Sequence, residues 1–516
     1  MVCVSPYYIV YFIGHIVSGG NQMEKPLEES NTYRVLTERE ISQIHETSMK
    51  VLEQVGFEMH YPPALDLMQK HGARVDRGSC RVFIPRELVA RCIKQAPPEF
   101  VFYGREPGKE MTIGGKRVHC GTGGLALYVL DLQRNKRPAA IRDVSNLARL
   151  ADKLEYVDFY IIPVYPHDIN IDSVDINSYY HSFRNTGKPV MGGIMNKKKL
   201  DDVVNMASIL AGSLDQLRRR PFVGFIASVT SPLTISKDQA ELIMEVAGYG
   251  LPLATSSAPA AGATSPMTLA GTLVLQNAEA LIGIILAQMV NPGTPVLYSA
   301  VPVTMDMRTM SILMGSIESG LMNAAITQMA HYYRLPCYIT AGTADAKLPD
   351  AQAAFESATT ALLAALSGGN FIHEAFGLLD GAMTASYAKY VLDNDIIGSC
   401  LRTLRGIEVN PETLALDVIS RVGPGGNYLA EPHTLKYMRT ELHSPKASNR
   451  QPYQSWIDAG SKDSWKIAEE VAYQLLNTPA RVYITHDQDC EIKKLFPDLV
   501  SLGEDNDYHE VRAGVE

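Results

Sequence analysis

The spacing of apolar residues changes near position 141, and the change divides the chain. Ahead of it, Ile41, Ile44, Met49, Val51, Leu52 and Val55 recur at near-helical intervals behind Thr37-Glu38-Arg39-Glu40, and Gly56 closes the run. Thr37 and Glu40 form a capping box, in which each side chain satisfies a free backbone N–H of the first turn. Pro62-Pro63 opens a second helix that reaches about Gly72, and a third is predicted from Pro85 to Lys94. Phe100 to Tyr103, Lys116 to His119 and Leu125 to Leu130 then read as hairpin strands between Gly-rich turns.

From Ile141 onward, short apolar runs alternate with long helical stretches, the signature of βα units with parallel strands. Strands are predicted at Phe159 to Val164, Val190 to Ile194, Phe222 to Ser228, Leu251 to Thr255, Val296 to Ala300, Cys337 to Thr340 and Phe371 to Phe376. Helices are predicted at Lys199 to Ala211, Lys237 to Gly248, Thr268 to Gln288, Ser311 to Tyr333 and Ala351 to Ala365. Seven strands are clear. An eighth, needed for a complete (β/α)8 TIM-like barrel, is sought in 125–130 or in a degenerate segment near 379–397. A doubly wound sheet is the competing architecture, disfavoured because no strand runs into a dinucleotide or phosphate loop. The expected organisation is a leader over 1–22, an N-terminal helical and hairpin cap over 23–140, the barrel over 141–440 and a helical extension over 441–516.

Bulk properties narrow the class. The 516 residues are 46% hydrophobic and 20% charged, with a net charge of -9. That balance suits a globular enzyme and opposes nucleic-acid binding, which needs clustered Lys and Arg. The only tight basic run, Lys197-Lys198-Lys199, reads as a solvated helix start. Seven scattered cysteines, none at Cys-x-x-Cys spacing, point to a reducing, cytoplasmic setting and away from structural zinc. Val2 to Val17 is apolar but short for a membrane span and lacks a basic start, so the expectation is that Met23 starts the natural chain or that the leader is disordered. An export signal is the alternative.

Chemistry-bearing motifs are sparse. Gly121-Thr122-Gly123-Gly124 lacks the ending of a P-loop and reads as a tight hairpin. His167-Asp168 and His373-Glu374 fall at strand ends, yet no third ligand stands at a revealing spacing, so no bound metal is expected. No Gly-x-Ser-x-Gly elbow is present, and Cys337 reads as a packed residue. Ser228, Thr230, Ser231, Thr255, Ser256 and Ser257 cluster after two strands, where they could hold oxyanions or satisfy loop backbone. Tyr165, Phe225, Tyr298 and Phe376 give the strand ends an aromatic theme, suited to a permanent cation but common at barrel rims.

Several stretches carry a resemblance. Leu36 to Gly56, Tyr103-Gly104-Arg105, Cys120-Gly121-Thr122-Gly123-Gly124, Gly342-Thr343-Ala344-Asp345-Ala346-Lys347-Leu348-Pro349-Asp350-Ala351-Gln352 and Gly423-Pro424-Gly425-Gly426-Asn427-Tyr428-Leu429 resemble the trimethylamine methyltransferase family. The likeness runs in order from about Leu36 to about Thr440, and Asp-Ala-Lys-Leu-Pro-Asp-Ala-Gln is its most specific part.

The resemblance implies a barrel that demethylates an amine and methylates the cobalt of a small corrinoid protein, in one-carbon metabolism. Founding members carry pyrrolysine, a position that falls near Thr343 here. This chain has only standard residues, which implies the branch acting on quaternary amines such as glycine betaine, proline betaine, carnitine or γ-butyrobetaine. The chemistry fits a site with few catalytic groups. A quaternary amine leaves as a neutral tertiary amine that needs no proton, and the corrinoid is itself the nucleophile, so the protein supplies placement. On this reading Tyr165, Phe225, Tyr298 and Phe376 surround the cation, and His373, His167 or Arg308 pairs with a substrate carboxylate. Asp345 adds negative potential unless Lys347 neutralises it. No side chain is expected to act as acid, base or nucleophile. The corrinoid protein is expected over the carboxyl mouth of the barrel, and a homo-oligomer is expected from the Ala-rich shell. Two further classes stay open: a lyase or aldolase using Lys347 as a Schiff base, and a betaine- or corrinoid-binding protein without turnover.

Overall fold

The computed structural model describes residues 33–479 and 481–502. The leader, Met23, Cys3 and the last fourteen residues lie outside that range. Eight parallel strands follow one another around a barrel: β1 His119–Cys120, β2 Tyr160–Ile161, β3 Val190–Gly193, β4 Val223–Ser228, β5 Leu253–Ser256, β6 Val296–Ser299, β7 Cys337–Thr340 and β8 Phe371–His373. Each is followed by a helix: α1 Ile141–Lys153, α2 Val174–Asn185, α3 Lys197–Ala211, α4 Lys237–Tyr249, α5 Leu269–Val290, α6 Ile317–Tyr333, α7 Ala351–Leu366 and α8 Tyr387–Arg405. The ring closes between β1 and β2, where Asp158 N donates to Cys120 O at 2.7 Å and Gly121 bridges Phe159 in parallel. Eight βα units in sequence order, closed on themselves, make a (β/α)8 barrel.

The eighth strand is therefore the first, and it lies in neither expected segment. Gly121-Thr122-Gly123-Gly124 is correspondingly not a hairpin turn but the carboxyl end of β1, at the seam. The Thr122 hydroxyl donates to Ile161 O at 2.7 Å and accepts from Ile161 N at 2.9 Å, taking the place of a ladder bond. Residues 128–130 pair instead with 384–386 and 136–138, forming with 378–379 a small sheet beyond the carboxyl ends of β1 and β8. Residues 311–313, expected to begin a helix, are the last strand of a second rim sheet with 260–261 and 303–306.

The amino end of the barrel is plugged. Glu99–Phe102 and Met111–Gly114 form a hairpin whose Phe102, Met111 and Ile113 join the interior core, and Tyr103 N reaches Pro221 O just ahead of β4. The N-terminal helix Glu38–Lys50 carries the expected capping box and packs on α5. The α5 helix is long and apolar enough to cross a membrane, but 72% of its apolar window is buried inside the fold, as in a core helix. The six described cysteines are all free, and Cys337 Sγ accepts Asn370 N at 3.1 Å within the wall.

Candidate active site at the carboxyl ends of β7 and β8

Alternation along each strand decides which side chains enter the barrel. On β7, Tyr338 faces in and Cys337 and Ile339 face the helices; on β8, Phe371 faces in and Ile372 faces out. The inward aromatics stack as a ladder. Phe159 lies on Phe371 at 3.5 Å between centroids, Phe371 on Tyr338 at 5.8 Å, and Tyr338 on His373 at 4.0 Å, with planes within 23° throughout. The ladder fills the lower barrel and ends in an imidazole.

His373 is 2% exposed, and neither ring nitrogen has a hydrogen-bond partner in the structure. Burial pushes its pKa down to about 3, so the ring is neutral, with one N–H to give and one nitrogen to accept. Glu374 follows with φ +60, a left-handed conformation that costs a non-glycine residue strain and turns its carboxylate back to Nδ1 of His373, 3.9 Å away. The Thr340 hydroxyl donates to Glu374 Oε2, and Thr343 Oγ1 donates to its carbonyl at 3.3 Å. Burial raises the Glu374 pKa to about 7, offset only in part by the Thr340 and Thr343 hydroxyls. No Lys or Arg forms an ion pair with this carboxylate among the described residues.

Gly123 makes this approach possible. A Cβ there would stand 2.6 Å from Glu374 N and 2.9 Å from His373 Nδ1. The glycine-rich run thus allows close packing beside His373 and Glu374.

The expected site residues separate. His373 and Thr343 come together beside Glu374. Phe225 and Tyr298 face the helical layer: Phe225 packs 5.9 Å from Tyr179 of α2, and the Tyr298 hydroxyl donates to Asn277 of α5 at 2.6 Å. They are outward positions on β4 and β6, so neither ring lines the interior. Phe376 is fully buried in the larger core. Tyr165 is half-buried at the rim, edge-on to an exposed His167 at 5.4 Å. Arg308 is exposed on the rim hairpin and holds Asp306 through two N–H groups. Asp345 is a loop tie, accepting Met314 N at 2.8 Å and Gly315 N at 3.1 Å, and burial raises its pKa. Tyr338, Thr340 and Glu374 are the residues here that sequence reasoning left unassigned; the period-2 register of β7 was the signal for Tyr338 and Thr340, whereas Glu374 follows the inward His373 with φ +60 and no register points to it.

The remaining candidates are engaged in contacts within the fold. Lys347 is 71% exposed and paired with Asp380 at 3.0 Å, the opposite of a desolvated Schiff-base lysine. The Asp-Ala-Lys-Leu-Pro-Asp-Ala-Gln run shapes the β7–α7 loop: Glu356 accepts Asp345 N at 2.7 Å, and Asp350 caps α7 through Ala353 N. Asp168 accepts Ile141 N at 2.8 Å, fixing the start of α1. Ser231 Oγ donates to Glu279 at 2.7 Å and Ser257 Oγ accepts from Gln276 at 2.7 Å, so part of the hydroxyl cluster is already engaged. Among the described residues, no group of three or more His, Cys, Asp or Glu could hold a metal ion.

Residues 17–496 match the family described as Trimethylamine methyltransferase (MTTB). The chain is 38% identical over 441 residues to trimethylamine methyltransferase MttB of Desulfitobacterium hafniense (strain DSM 10664 / DCB-2), covering 85% of this chain and 88% of that one. It is 36% identical over 425 residues to the glycine betaine methyltransferase of D. hafniense (strain Y51), covering 82% and 88%. Among solved structures, the monomethylamine methyltransferase of Methanosarcina barkeri aligns at 12% identity with a TM-score of 0.46, over 84% of this chain and 96% of that one.

Proposed function

The chain belongs to the trimethylamine methyltransferase family, and from that premise we propose that it moves a methyl group from a quaternary amine of the betaine class to the cobalt of a reduced corrinoid carried by a partner protein. Identities of 38% and 36% to relatives named for different amines do not choose between substrates, so the site must. The observation that carries the reading is Glu374, a buried carboxylate with no Lys or Arg paired to it among the described residues. A desolvated, unpaired carboxylate is costly, and a bound permanent cation offsets that cost.

The surrounding residues supply position. Thr340 and Thr343 hold Glu374, and Gly123 lets it approach the seam. The neutral His373 ring has an N–H to give to a substrate carboxylate, as a betaine requires. The methyl carbon exchanges its bond to nitrogen for one to cobalt, the N–C electron pair stays on nitrogen, and a neutral tertiary amine departs. No proton moves, which suits a place built around a neutral imidazole and one carboxylate. No side chain here is an electrophile that could capture a neutral amine, and position 343 holds threonine. Around the mouth, Leu125, Met307, Met310, Ile312, Leu348 and Met383 are exposed. Such a soft, Met-rich apolar rim is what a protein that docks and leaves would cover.

Calorimetric titration tests the substrate half. Betaines should bind, their tertiary-amine products should bind more weakly, and Glu374→Gln should lose the difference. Equal binding of betaine and product by both proteins would refute the assignment.

A further inference from the structure

The segment from Gly406 to Lys446, which contains Gly423-Pro424-Gly425-Gly426-Asn427-Tyr428-Leu429, has no role in the site. It also has no core. Not one residue from 402 to 446 is buried, and the helices Leu416–Val422 and Pro432–Tyr437 bury nothing. Ile407, Leu414, Leu416, Leu429, Leu435 and Leu442 are each at least 61% exposed. What orders the lobe is polar: Arg421 on Glu431 at 2.8 Å, Lys436 on Glu412, and Glu441 on Arg402 at 3.1 Å at its root. Exposed ion pairs of this kind contribute little, so the lobe needs an apolar surface from elsewhere.

We propose that residues 406–446 form the interface between two copies of this chain, each lobe packing on the other copy. Position separates this surface from the methyl acceptor. The lobe leaves the C-terminal end of α8, which starts beside the mouth and runs 19 residues, about 28 Å, back toward the plugged end of the barrel. A corrinoid protein must reach the mouth and then leave, whereas a lobe without a core needs a permanent cover. Area agrees. Six such side chains on each of two lobes, with the surface they cover, bury roughly 1,400–2,900 Å², reaching or exceeding the roughly 1,200–2,000 Å² of a stable interface. Charge agrees as well. Each copy carries a net charge of -9, while the lobe holds five acidic and four basic residues, so its near balance keeps repulsion between two copies small there. Reciprocal exchange of identical lobes gives a closed two-fold dimer.

Light scattering and hydrogen exchange on the full chain test this. The wild type should have the mass of a dimer, or of a multiple of dimers. The Leu416→Glu/Leu435→Glu variant should be halved in mass, with an unchanged circular dichroism spectrum, because neither side chain is buried within one chain. Amides of 416–422 and 432–437 in the unaltered protein should exchange faster on dilution. A monomeric wild type, or a variant of unchanged mass with a native spectrum, would overturn the proposal. So would lobe protection that is independent of concentration and lost on removing residues 1–32, which would make the cover intramolecular. A variant of unchanged mass that no longer binds the corrinoid protein would overturn it too.

Discussion

The imidazole of His373 lies flat on the ring of Tyr338, centroids 4.0 Å apart and planes 23° apart, at the top of an aromatic ladder that fills the barrel below it. The ladder sets the floor of the site, and Glu374 stands beside the imidazole. The proposed chemistry is thereby confined to the carboxyl end, where the rim carries exposed apolar side chains.

Glu374→Gln removes the charge and keeps the shape. A hydrogen-bonded or ion-paired contact to a charged group contributes about 1.5–3 kcal/mol, so KM for the quaternary amine should rise roughly 10–100-fold. Melting temperature should hold or rise, since a buried carboxylate is replaced by a neutral amide. Steady-state kinetics beside calorimetry separates the two effects.

The same residue fixes a pH dependence. Its folded pKa of about 7 lies above the 4.5 of a free glutamic acid because burial disfavours the charged form. The folded state therefore holds this proton more tightly than the unfolded state. The resulting stability is complete below about pH 4.5 and falls away as pH rises through 7. Cation affinity should move the other way, increasing as pH passes up through 7, and Glu374→Gln should flatten that rise. His373, with a pKa near 3, stays neutral across the window. Binding measured from pH 5.5 to 8.5 would show either trend.

Gly123→Ala should damage the site without touching a charged group. The added methyl meets Glu374 N at 2.6 Å and His373 Nδ1 at 2.9 Å. Overpacking of this kind costs about 1–3 kcal/mol, visible as a lowered melting temperature, and displacement of Glu374 should lower turnover further.

Strand register makes a paired prediction. Tyr338→Leu, which removes an inward ring beneath His373, should change KM or kcat for the amine. Phe225→Leu and Tyr298→Phe, altered on the helical side of the wall, should lower stability and leave KM within about twofold. Lys347→Ala should be active, and borohydride with carbonyl compounds should not trap it.

Much of the fold was legible because seven strands announce themselves as apolar runs between Ala- and Leu-rich helices. β1 was not, because His119-Cys120-Gly121 is short and its inward position is empty of side chain: Phe159 occupies the space where a Cβ of Gly121 would stand, 2.3 Å from the ring. The site was half legible. Thr343 was read from the resemblance and His373 from its place at a strand end, and the fold brings both beside Glu374. Phe225 and Tyr298 were chosen on the same ground, yet one step of register turns a side chain to the other face of the wall. Glu374 escaped because a His-Glu pair reads as a metal motif, and its role rests on which partners it lacks. That is a property of the folded state alone.

Methyl transfer itself is the most direct test. The purified protein would be mixed with reduced corrinoid, free and protein-bound, and with glycine betaine, proline betaine, carnitine, γ-butyrobetaine and trimethylamine in turn, while the visible spectrum follows methylation of the cobalt. The account predicts turnover with at least one quaternary amine, release of its tertiary amine, and none with trimethylamine. Turnover with trimethylamine alone, or with no amine despite a competent corrinoid partner, would contradict it.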